Sequence, residues 1–382
     1  MTTPRLTYCG NVHPAPDLPS VLAALHGHAA PVAAASRAAG RPFGLGAWWP
    51  LPLVRQLAVD RAARDRLAAV LRELDLPLWT LNVFPVGGFH DRVVKTAVYR
   101  PDWATEERLL YTRLCAEVAA SLVPAGTLLP LSTLPLGYRR PDEPPPDLRR
   151  MARNLARCAS AFAAIETETG VRCVLALEPE PDCLLETCGE AAGFLEQWLF
   201  DEGAWTTMGQ HVLRRHLGVC VDLCHLAVVG EEPLRALDDL RAREIAVPKI
   251  QVASCLEART ADGLDALLAF AEPRYLHQTV AENGLRALDL DAVAAHRAQF
   301  AVAGRVRSHY HVPLFWDQPG PLGSTRSEVE RVLRALAAGP HALPLLEVET
   351  YTWDVLGDFA GTAPLAVRLQ QELDWVASCL QS

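Results

Sequence analysis

Short apolar runs alternate with longer segments of helical periodicity about eight times along this 382-residue chain. Alternation of this kind predicts a parallel sheet with helices packed outside it. Eight strand–helix units at this length favour a single (β/α)8 barrel of the TIM type over an open sheet. No G-x-G-x-x-G follows the first run and no G-x-x-x-x-G-K-[ST] occurs, so we expect no nucleotide cofactor.

Eight runs are predicted to form the barrel strands: Leu6–Cys9, Phe43–Trp49, Leu76–Phe84, Gly126–Leu134, Val171–Leu177, the run that opens at Val219, Ala246–Ala253 and Leu343–Glu349. Helices are expected between them, including 53–74 and 190–217 with a break near Gly203. The alternation loosens over 257–305, and an extra strand-like run, 305–313, precedes the last unit. We therefore expect one domain over 1–382, with an insertion at about 257–305 between strands seven and eight.

The composition excludes several classes of protein. The formal net charge is −9 and no basic cluster is present, which argues against a nucleic-acid partner. The ten cysteines form no C-x-x-C pair, as expected for a reduced protein whose cysteines pack as small apolar residues. The N-terminus lacks a charged-then-apolar signal pattern and no unbroken apolar run approaches about 18 residues. We expect a cytoplasmic protein without a membrane span.

The carboxyl ends of the predicted strands carry polar side chains, and in TIM barrels this end holds the active site. The candidates are Asn11 and His13, Asn82 and His90, Glu178 and Glu180, Asp222 and His225, Lys249 and Gln251, His309 and His311, and Glu347 and Glu349. Several carboxylates with an amide and one or two imidazoles suit a divalent Mn, Mg or Co ion. Zn²⁺ remains an alternative if a histidine is a ligand.

Strand periodicity places some of these candidates on one side. Glu347 and Glu349 share a face, where their charges repel unless a cation or a proton intervenes. The pair Glu178 and Glu180 poses the same question. His309 and His311 also share a face, so both are able to reach the site.

Four short segments resemble the xylose-isomerase-like TIM barrels, a superfamily of sugar isomerases, sugar epimerases and endonuclease IV-type enzymes. These segments are 177–179, 221–225, 250–252 and 349–351. The resemblance implies one divalent metal held by Glu178, Asp222, Gln251 and Glu349. It also implies that Glu178 and Glu349 are the acid/base pair and that His225 lies near substrate.

The resemblance leaves the strand-five ligand undecided between two glutamates. The epimerases carry a further glutamate six residues after that ligand. Here Glu186 lies six residues after Glu180 but eight after Glu178. Either Glu178 or Glu180 therefore fits the pattern.

Longer segments resemble the metabolite traffic protein EboE family over nearly the whole chain. They are 8–14, 84–90, 132–137, 308–313 and 347–353. This resemblance implies a place in specialised metabolism and partner proteins from the same gene cluster.

The preferred hypothesis is a metal-dependent isomerase or epimerase of a sugar, polyol or cyclitol-like substrate. Proton transfer between two glutamates through an enediolate would be its chemistry, with the metal as Lewis acid. His225 and Gln251 would orient substrate oxygens, and Lys249 would stabilise charge. The alternatives are a metal-dependent hydrolase or lyase on the same residues, and a non-enzymatic module that binds a metabolite for transfer.

Overall fold

Eight parallel strands form a nearly closed barrel in the computed structural model, which describes residues 4–140, 142–200, 209–316 and 320–381. The barrel strands are β1 (Leu6–Tyr8), β2 (Leu45–Trp48), β3 (Leu78–Asn82), β4 (Leu128–Thr133), β5 (Arg172–Leu177), β6 (Leu217–Asp222), β7 (Ala246–Val252) and β13 (Leu345–Val348). Their order is β1-β13-β7-β6-β5-β4-β3-β2, and every neighbouring pair is parallel. The predicted TIM barrel is confirmed.

The two ends of this sheet meet at β1 and β2. A parallel bridge joins Cys9 and Gly46, and the Thr7 hydroxyl donates a 2.7 Å hydrogen bond to the Gly44 carbonyl. Gly46 has no side chain at a point where a Cβ would collide with the Glu347 carboxylate and lie 2.6 Å from the Tyr8 carbonyl oxygen. Glycine at this position therefore lets the strands approach around a buried acid.

Helices connect the strands and cover the outside of the barrel. In chain order they are α1 (Leu18–Ala24), α2 (Ala30–Ala38), α3 (Leu51–Val59), α4 (Arg61–Glu73), α5 (Glu106–Ala120), α6 (Leu148–Thr169), α7 (Cys188–Leu195), α8 (Gln210–His216), α9 (Leu223–Val229), α10 (Pro233–Ala242), α11 (Ala261–Leu268), α12 (Leu290–Ala295), α13 (Arg297–Phe300), α14 (Arg326–Ala338) and α15 (Leu365–Leu380). A π turn over Leu25–Ala29 joins α1 to α2, and another over Glu196–Phe200 extends α7.

Two helix predictions differ from the structure. The single helix expected over 53–74 is two helices, because Asp60 leaves the helical conformation and its carboxylate accepts the Ala63 N–H at 3.1 Å as an N-cap. The helix expected over 190–217 is divided between α7 with its π turn and α8. Its predicted break near Gly203 lies outside the described residues.

Strand β6 ends at Asp222 because the same residue starts the next helix. Asp222 Oδ1 accepts the N–H groups of Cys224 (2.7 Å) and His225 (2.9 Å), which makes it the N-cap of α9. An aspartate satisfies two otherwise unpaired helical donors in this way. The cap fixes the carboxylate at the carboxyl end of the barrel and projects His225 from the first turn of α9.

The insertion between β7 and β13 contains a second sheet, which the sequence analysis did not anticipate beyond its one extra strand. Five antiparallel strands lie in the order β10-β9-β11-β8-β12. They are β8 (Ser254–Ala258), β9 (Thr279–Ala281), β10 (Arg286–Ala287), β11 (Val306–Val312) and β12 (Leu322–Ser324). The extra strand-like run is thus β11, at the centre of this sheet, and α9 packs against it.

One described helical segment, Leu18–Ala38, is long and apolar enough to cross a membrane by length and composition alone. Its apolar side packs into the protein core through Val21, Leu25 and Val32, among others. All ten cysteines are buried and unpaired.

Candidate metal centre

Three buried carboxylates meet at the carboxyl end of the barrel. Glu178 directly follows β5, Asp222 ends β6 and Glu349 directly follows β13. One oxygen from each lies within 4.8 Å of the other two. Among the described atoms, Glu178 Oε2 and Asp222 Oδ2 have no hydrogen-bond partner, and neither does either amide atom of Gln251. We refer to Glu178, Asp222 and Glu349 as the carboxylate trio.

Neighbouring side chains hold one member of the trio in place. Glu349 Oε1 accepts hydrogen bonds from Asn11 Nδ2 (2.7 Å) and Asn82 Nδ2 (3.0 Å). Beneath it, Glu347 Oε2 accepts a 2.6 Å hydrogen bond from Lys249 Nζ, and both side chains are fully buried. The nearby acids outweigh the effect of burial and raise the pKa of Lys249, which keeps it charged.

Burial and mutual repulsion disfavour the charged forms of the trio. Burial, followed by the charges of Glu349 and Asp222, raises the pKa of Glu178 well above its ordinary value. Burial and Glu349 raise the pKa of Asp222 in the same way, although its two backbone hydrogen bonds oppose this. Burial, followed by Glu347, raises the pKa of Glu349 to about 7. A divalent cation would satisfy the unpartnered oxygens and reverse this repulsion, so the residues present fit a metal.

Glu178 and Glu180 lie in different surroundings. Glu180 Oε1 accepts a 2.6 Å hydrogen bond from the Tyr99 hydroxyl, which in turn accepts one from Gln278 Nε2 at 2.8 Å. Burial raises the pKa of Glu180 to about 8 against that hydrogen bond. Glu178 joins the trio, whereas Glu180 faces His225 and His309.

Three histidines adjoin the trio. His225 Nε2 lies 3.0 Å from His309 Nε2, which lies 3.2 Å from His311 Nε2. His225 Nε2 is also 4.0 Å from Asp222 Oδ2. We refer to His225, His309 and His311 as the histidine cluster.

A small cavity of about 50 Å³ is lined by Glu178 and Glu349 of the trio and by the histidine cluster. This is enough room for ordered water. Its outer wall is aromatic and includes Phe89, Tyr275 and Tyr351, whose rings contact one another. Lys95 Nζ donates hydrogen bonds to the carbonyl oxygens of Glu272 (2.8 Å) and Tyr275 (2.7 Å). These bonds connect the loop before α5 to the insertion.

The remaining candidates lie at or outside the edge of this centre. His13 Nε2 and the Tyr8 hydroxyl form a 3.0 Å hydrogen bond. The His13 ring stacks on His28, away from the cavity. Burial, followed by His28, lowers the pKa of His13 to about 3. His90 contacts the Asn11 carbonyl at 2.7 Å. Glu186 forms an ion pair with Arg286, and its Oε1 accepts a 2.6 Å hydrogen bond from the Asp182 N–H.

Sequence reasoning missed Tyr99, Gln278 and the aromatic wall. Gln278 and Tyr275 lie in 274–278, a segment whose residues fit no helix or strand pattern. That irregularity was the one feature of the sequence that could have pointed to Gln278 and Tyr275 as site residues. Tyr99 lies in a short 3-10 turn, Lys95–Tyr99, with no distinguishing pattern.

Comparisons with known proteins agree with this architecture. A profile of the family described as xylose isomerase-like TIM barrel matches residues 33–297. A solved L-ribulose 3-epimerase is 13% identical with a TM-score of 0.51, over 99% of this chain and 95% of its own. A D-allulose 3-epimerase from Methylomonas sp., solved with D-allulose, is 15% identical with a TM-score of 0.40, over 80% and 84%. An AP endonuclease of family 2 from Brucella melitensis is 16% identical with a TM-score of 0.39, over 65% and 79%. No match to a curated protein was found. At 13% identity the likeness to the L-ribulose 3-epimerase concerns the fold alone.

Proposed function

Since the chain belongs to the xylose isomerase-like TIM barrel family, we propose that it is a metal-dependent isomerase or epimerase of a sugar, polyol or cyclitol-like metabolite. One observation carries this proposal: three buried carboxylates, two of which have an oxygen without a partner among the described atoms, converge beside a cavity at the carboxyl ends of β5, β6 and β13. Glu178, Asp222, Gln251 and Glu349 would hold one divalent Mn, Mg or Co ion, with Zn as the alternative.

The ion would supply Lewis-acid stabilisation of negative charge on the substrate oxygens. The residues of the chain would move the proton. One of Glu178 and Glu349 takes a proton from the carbon beside the carbonyl, and the other returns one to the opposite face of that carbon. Asn11 and Asn82, which donate to Glu349 Oε1, hold that carboxylate in position. The aromatic wall offers apolar surface to the C–H faces of the substrate.

The first experiment is elemental analysis of the purified protein. We expect one or more equivalents of divalent metal in the wild type, and loss of one equivalent in the variant Glu349→Gln/Asp222→Asn. Glu186→Gln is the matched control, because Glu186 is an acid of the same region that lies outside the trio and forms an ion pair with Arg286. Glu178→Gln and Glu180→Gln compare the two strand-five candidates, and we expect the former to release the trio's metal.

The second experiment tests for activity by proton exchange with solvent. The metal-loaded protein is incubated with a panel of sugars and cyclitols in D₂O, and deuterium at carbon is detected by NMR. Incorporation that is lost in Glu178→Gln and Glu349→Gln supports the proposal. A wild type that holds no metal, even after metal is added back, contradicts it and favours a metabolite-binding module.

A hydrolase or lyase is the second candidate, favoured by the histidine cluster beside the trio. It would cleave its substrate, and a hydrolase would place one ¹⁸O from labelled water in a product. Carbon-bound deuterium without cleavage would exclude this candidate.

Three finer proposals accompany the first. We propose that the chain is a member of the EboE group, acting in specialised metabolism with proteins of its gene cluster. The ten unpaired cysteines support a reducing, cytoplasmic location. Because His309 and His311 of the insertion line the same cavity as the barrel residues, we propose that residues 1–382 act as one domain.

A further inference from the structure

The cavity beside the carboxylate trio is covered on its outer side. Its volume is about 50 Å³, whereas pockets that hold small-molecule ligands are about 300–1,000 Å³. The side chains of the outer wall are themselves buried, among them Phe89, Val94, Tyr275 and Tyr351. A sugar or cyclitol therefore reaches the trio only if part of this wall moves.

The loop between β3 and α5, residues 83–105, supplies one side of the wall. It is described throughout, and it forms no strand and one short 3-10 turn, Lys95–Tyr99. Long loops without regular structure of their own are uncommon in compact domains, and those that occur are often lids over binding sites. Phe89, Val94 and Val98 from the middle of this loop line the cavity.

Both ends of the loop are fixed to the barrel by one buried side chain. Arg108 of α5 is fully buried, and its Nη1 donates hydrogen bonds to the carbonyl oxygens of Val83 (2.8 Å) and Phe84 (2.7 Å). Its Nε donates to the Pro101 carbonyl oxygen at 2.8 Å. Residues 87–98, which we call the cover segment, therefore cross the mouth of the cavity between two anchored ends.

The insertion supplies the facing side of the wall through residues 272–278. His277 is fully buried, and its two ring nitrogens lie 2.9 Å from the His309 carbonyl oxygen and from the Glu272 carboxylate. Gln278 Oε1 lies 2.8 Å from His309 Nδ1. These contacts hold the insertion side to β11, so the cover segment is the side that is able to move.

Lys95 joins the cover segment to the insertion. Besides the two carbonyl oxygens of Glu272 and Tyr275, its Nζ contacts Asp289 Oδ2 at 2.6 Å. All three protons of the ammonium group thus have an acceptor on the insertion. Other contacts of the segment are single hydrogen bonds, such as that of His90 with the Asn11 carbonyl oxygen at 2.7 Å.

The backbone of the cover segment is attached at the same point. The N–H groups of Val94 (2.8 Å) and Lys95 (2.9 Å) both donate to the Arg274 carbonyl oxygen. Lys95 has a φ of 42°, in the left-handed region that residues other than glycine seldom adopt. Strain of this kind persists only where surrounding contacts hold it. The contacts of the Lys95 ammonium group are placed to do so.

We propose that the cover segment is a gate over the carboxylate trio and that Lys95 is its latch. The gate opens when Lys95 releases the insertion, and the exposed pair Gly87 and Gly88, with φ of 68° at Gly88, is its hinge. Closure restores these contacts over a bound molecule and keeps bulk water from the trio. The inference rests on the proposed function only in that a small molecule has to reach the trio.

Hydrogen–deuterium exchange followed by NMR tests the gate. In the wild type, the amides of Val94 and Lys95 should exchange before those of β5 and β6. Loss of one hydrogen bond to a charged group shifts an opening equilibrium by about tenfold or more. Lys95→Met should therefore speed exchange of the Val94 amide at least about tenfold and leave β5 and β6 unchanged. Arg92→Met, which removes one exposed positive charge from the same segment, is the matched control and should behave as wild type.

Thiol labelling measures access to the cavity directly. Leu276→Cys places a thiol on the insertion side of the wall, where Leu276 is 7% exposed. All ten native cysteines are buried, so the wild type gives the background reaction with iodoacetamide. We expect Leu276→Cys/Lys95→Met to be labelled about tenfold faster than Leu276→Cys/Arg92→Met.

Three results overturn the proposal. The first is a wild type whose Val94 and Lys95 amides are as protected as those of β5 and β6, a comparison that also covers a Lys95→Met variant that fails to fold. The second is equal exchange and labelling in Lys95→Met and Arg92→Met. The third is faster exchange that extends equally to the barrel strands, because Lys95 would then stabilise the whole fold.

The gate and the proposed function fail separately, since neither readout uses activity or a bound metal. A protein that binds no metal but shows the local effect of Lys95→Met keeps the gate and contradicts the metal-dependent function. A protein that binds metal and lacks that effect keeps the function and loses the gate.

Discussion

Glu372 is a buried carboxyl group outside the candidate metal centre, and its replacement by glutamine measures how far burial perturbs an acid in this protein. It lies on α15, fully shielded from solvent. Its Oε1 accepts hydrogen bonds from the Thr350 hydroxyl (2.6 Å) and the Leu314 N–H (3.1 Å), and its Oε2 has no partner among the described atoms. Burial raises the pKa of Glu372 from 4.5 to about 8, although these hydrogen bonds oppose it.

The free energy of unfolding falls as pH rises, because of the state in which Glu372 binds its proton more tightly. The folded state holds the Glu372 proton more tightly than the unfolded chain. The stability it contributes is fully present below pH 4.5 and is lost as pH rises towards 8. The shift, 8 minus 4.5, is 3.5 pH units, and at 1.36 kcal/mol per unit this is about 5 kcal/mol. Of this, about 4 kcal/mol falls between pH 5 and pH 9.

Urea unfolding at pH 5 and pH 9 measures this contribution in the wild type and in Glu372→Gln. The variant does not titrate, and its amide NH2 group, buried at the position of the unpartnered Oε2, costs roughly 1–3 kcal/mol at both pH values, which cancels in the comparison. We expect the free energy of unfolding of the variant, relative to wild type, to rise by about 4 kcal/mol from pH 5 to pH 9. Glu73→Gln, an exposed acid on α4, is the control and should show no such rise. Parallel pH dependence of wild type and Glu372→Gln would refute the reasoning.

Two further predictions concern the barrel interior. Lys249→Met leaves the fully buried Glu347 carboxylate without its cation and should lower the free energy of unfolding by about 3–5 kcal/mol. The double variant Lys249→Met/Glu347→Leu should recover most of that loss. Chemical denaturation of both variants measures the two losses, and equal losses would contradict the prediction. Gly46→Ala should destabilise by roughly 1–3 kcal/mol, because its Cβ meets the Glu347 carboxylate and the Tyr8 carbonyl oxygen. An unchanged melting temperature of Gly46→Ala would show that the β1–β2 closure is looser than described.

The barrel follows from the sequence because its signal is local and repeated. Each strand is a short apolar run, each connection is a longer amphipathic segment, and polar residues follow the strands at 178, 222 and 349. Since parallel strands bring their carboxyl ends together, this pattern is sufficient to gather the trio. Two short strands of the insertion, β9 and β10, have three and two residues, too few for a period of two to appear. The second sheet was therefore missed.

The different surroundings of Glu178 and Glu180 depend on distant contacts. Both follow the same strand, separated by one proline, and period two gives them equivalent positions. The structure distinguishes them because Tyr99 donates a hydrogen bond to Glu180, and Gln278 donates one to Tyr99. These residues come from two loops about 80 and 100 positions away in the chain. No local pattern encodes such a contact.

By itself, the sequence determined the barrel and the end of it at which Glu178, Asp222 and Glu349 gather, because alternation and strand period act over a few residues. Only the tertiary structure decided that β11 of the insertion turns His309 and His311 towards His225 on α9. The period of two places both histidines on one face of their strand but does not say what that face meets. What it meets depends on how an antiparallel sheet packs against the barrel, which is a property of the whole folded chain.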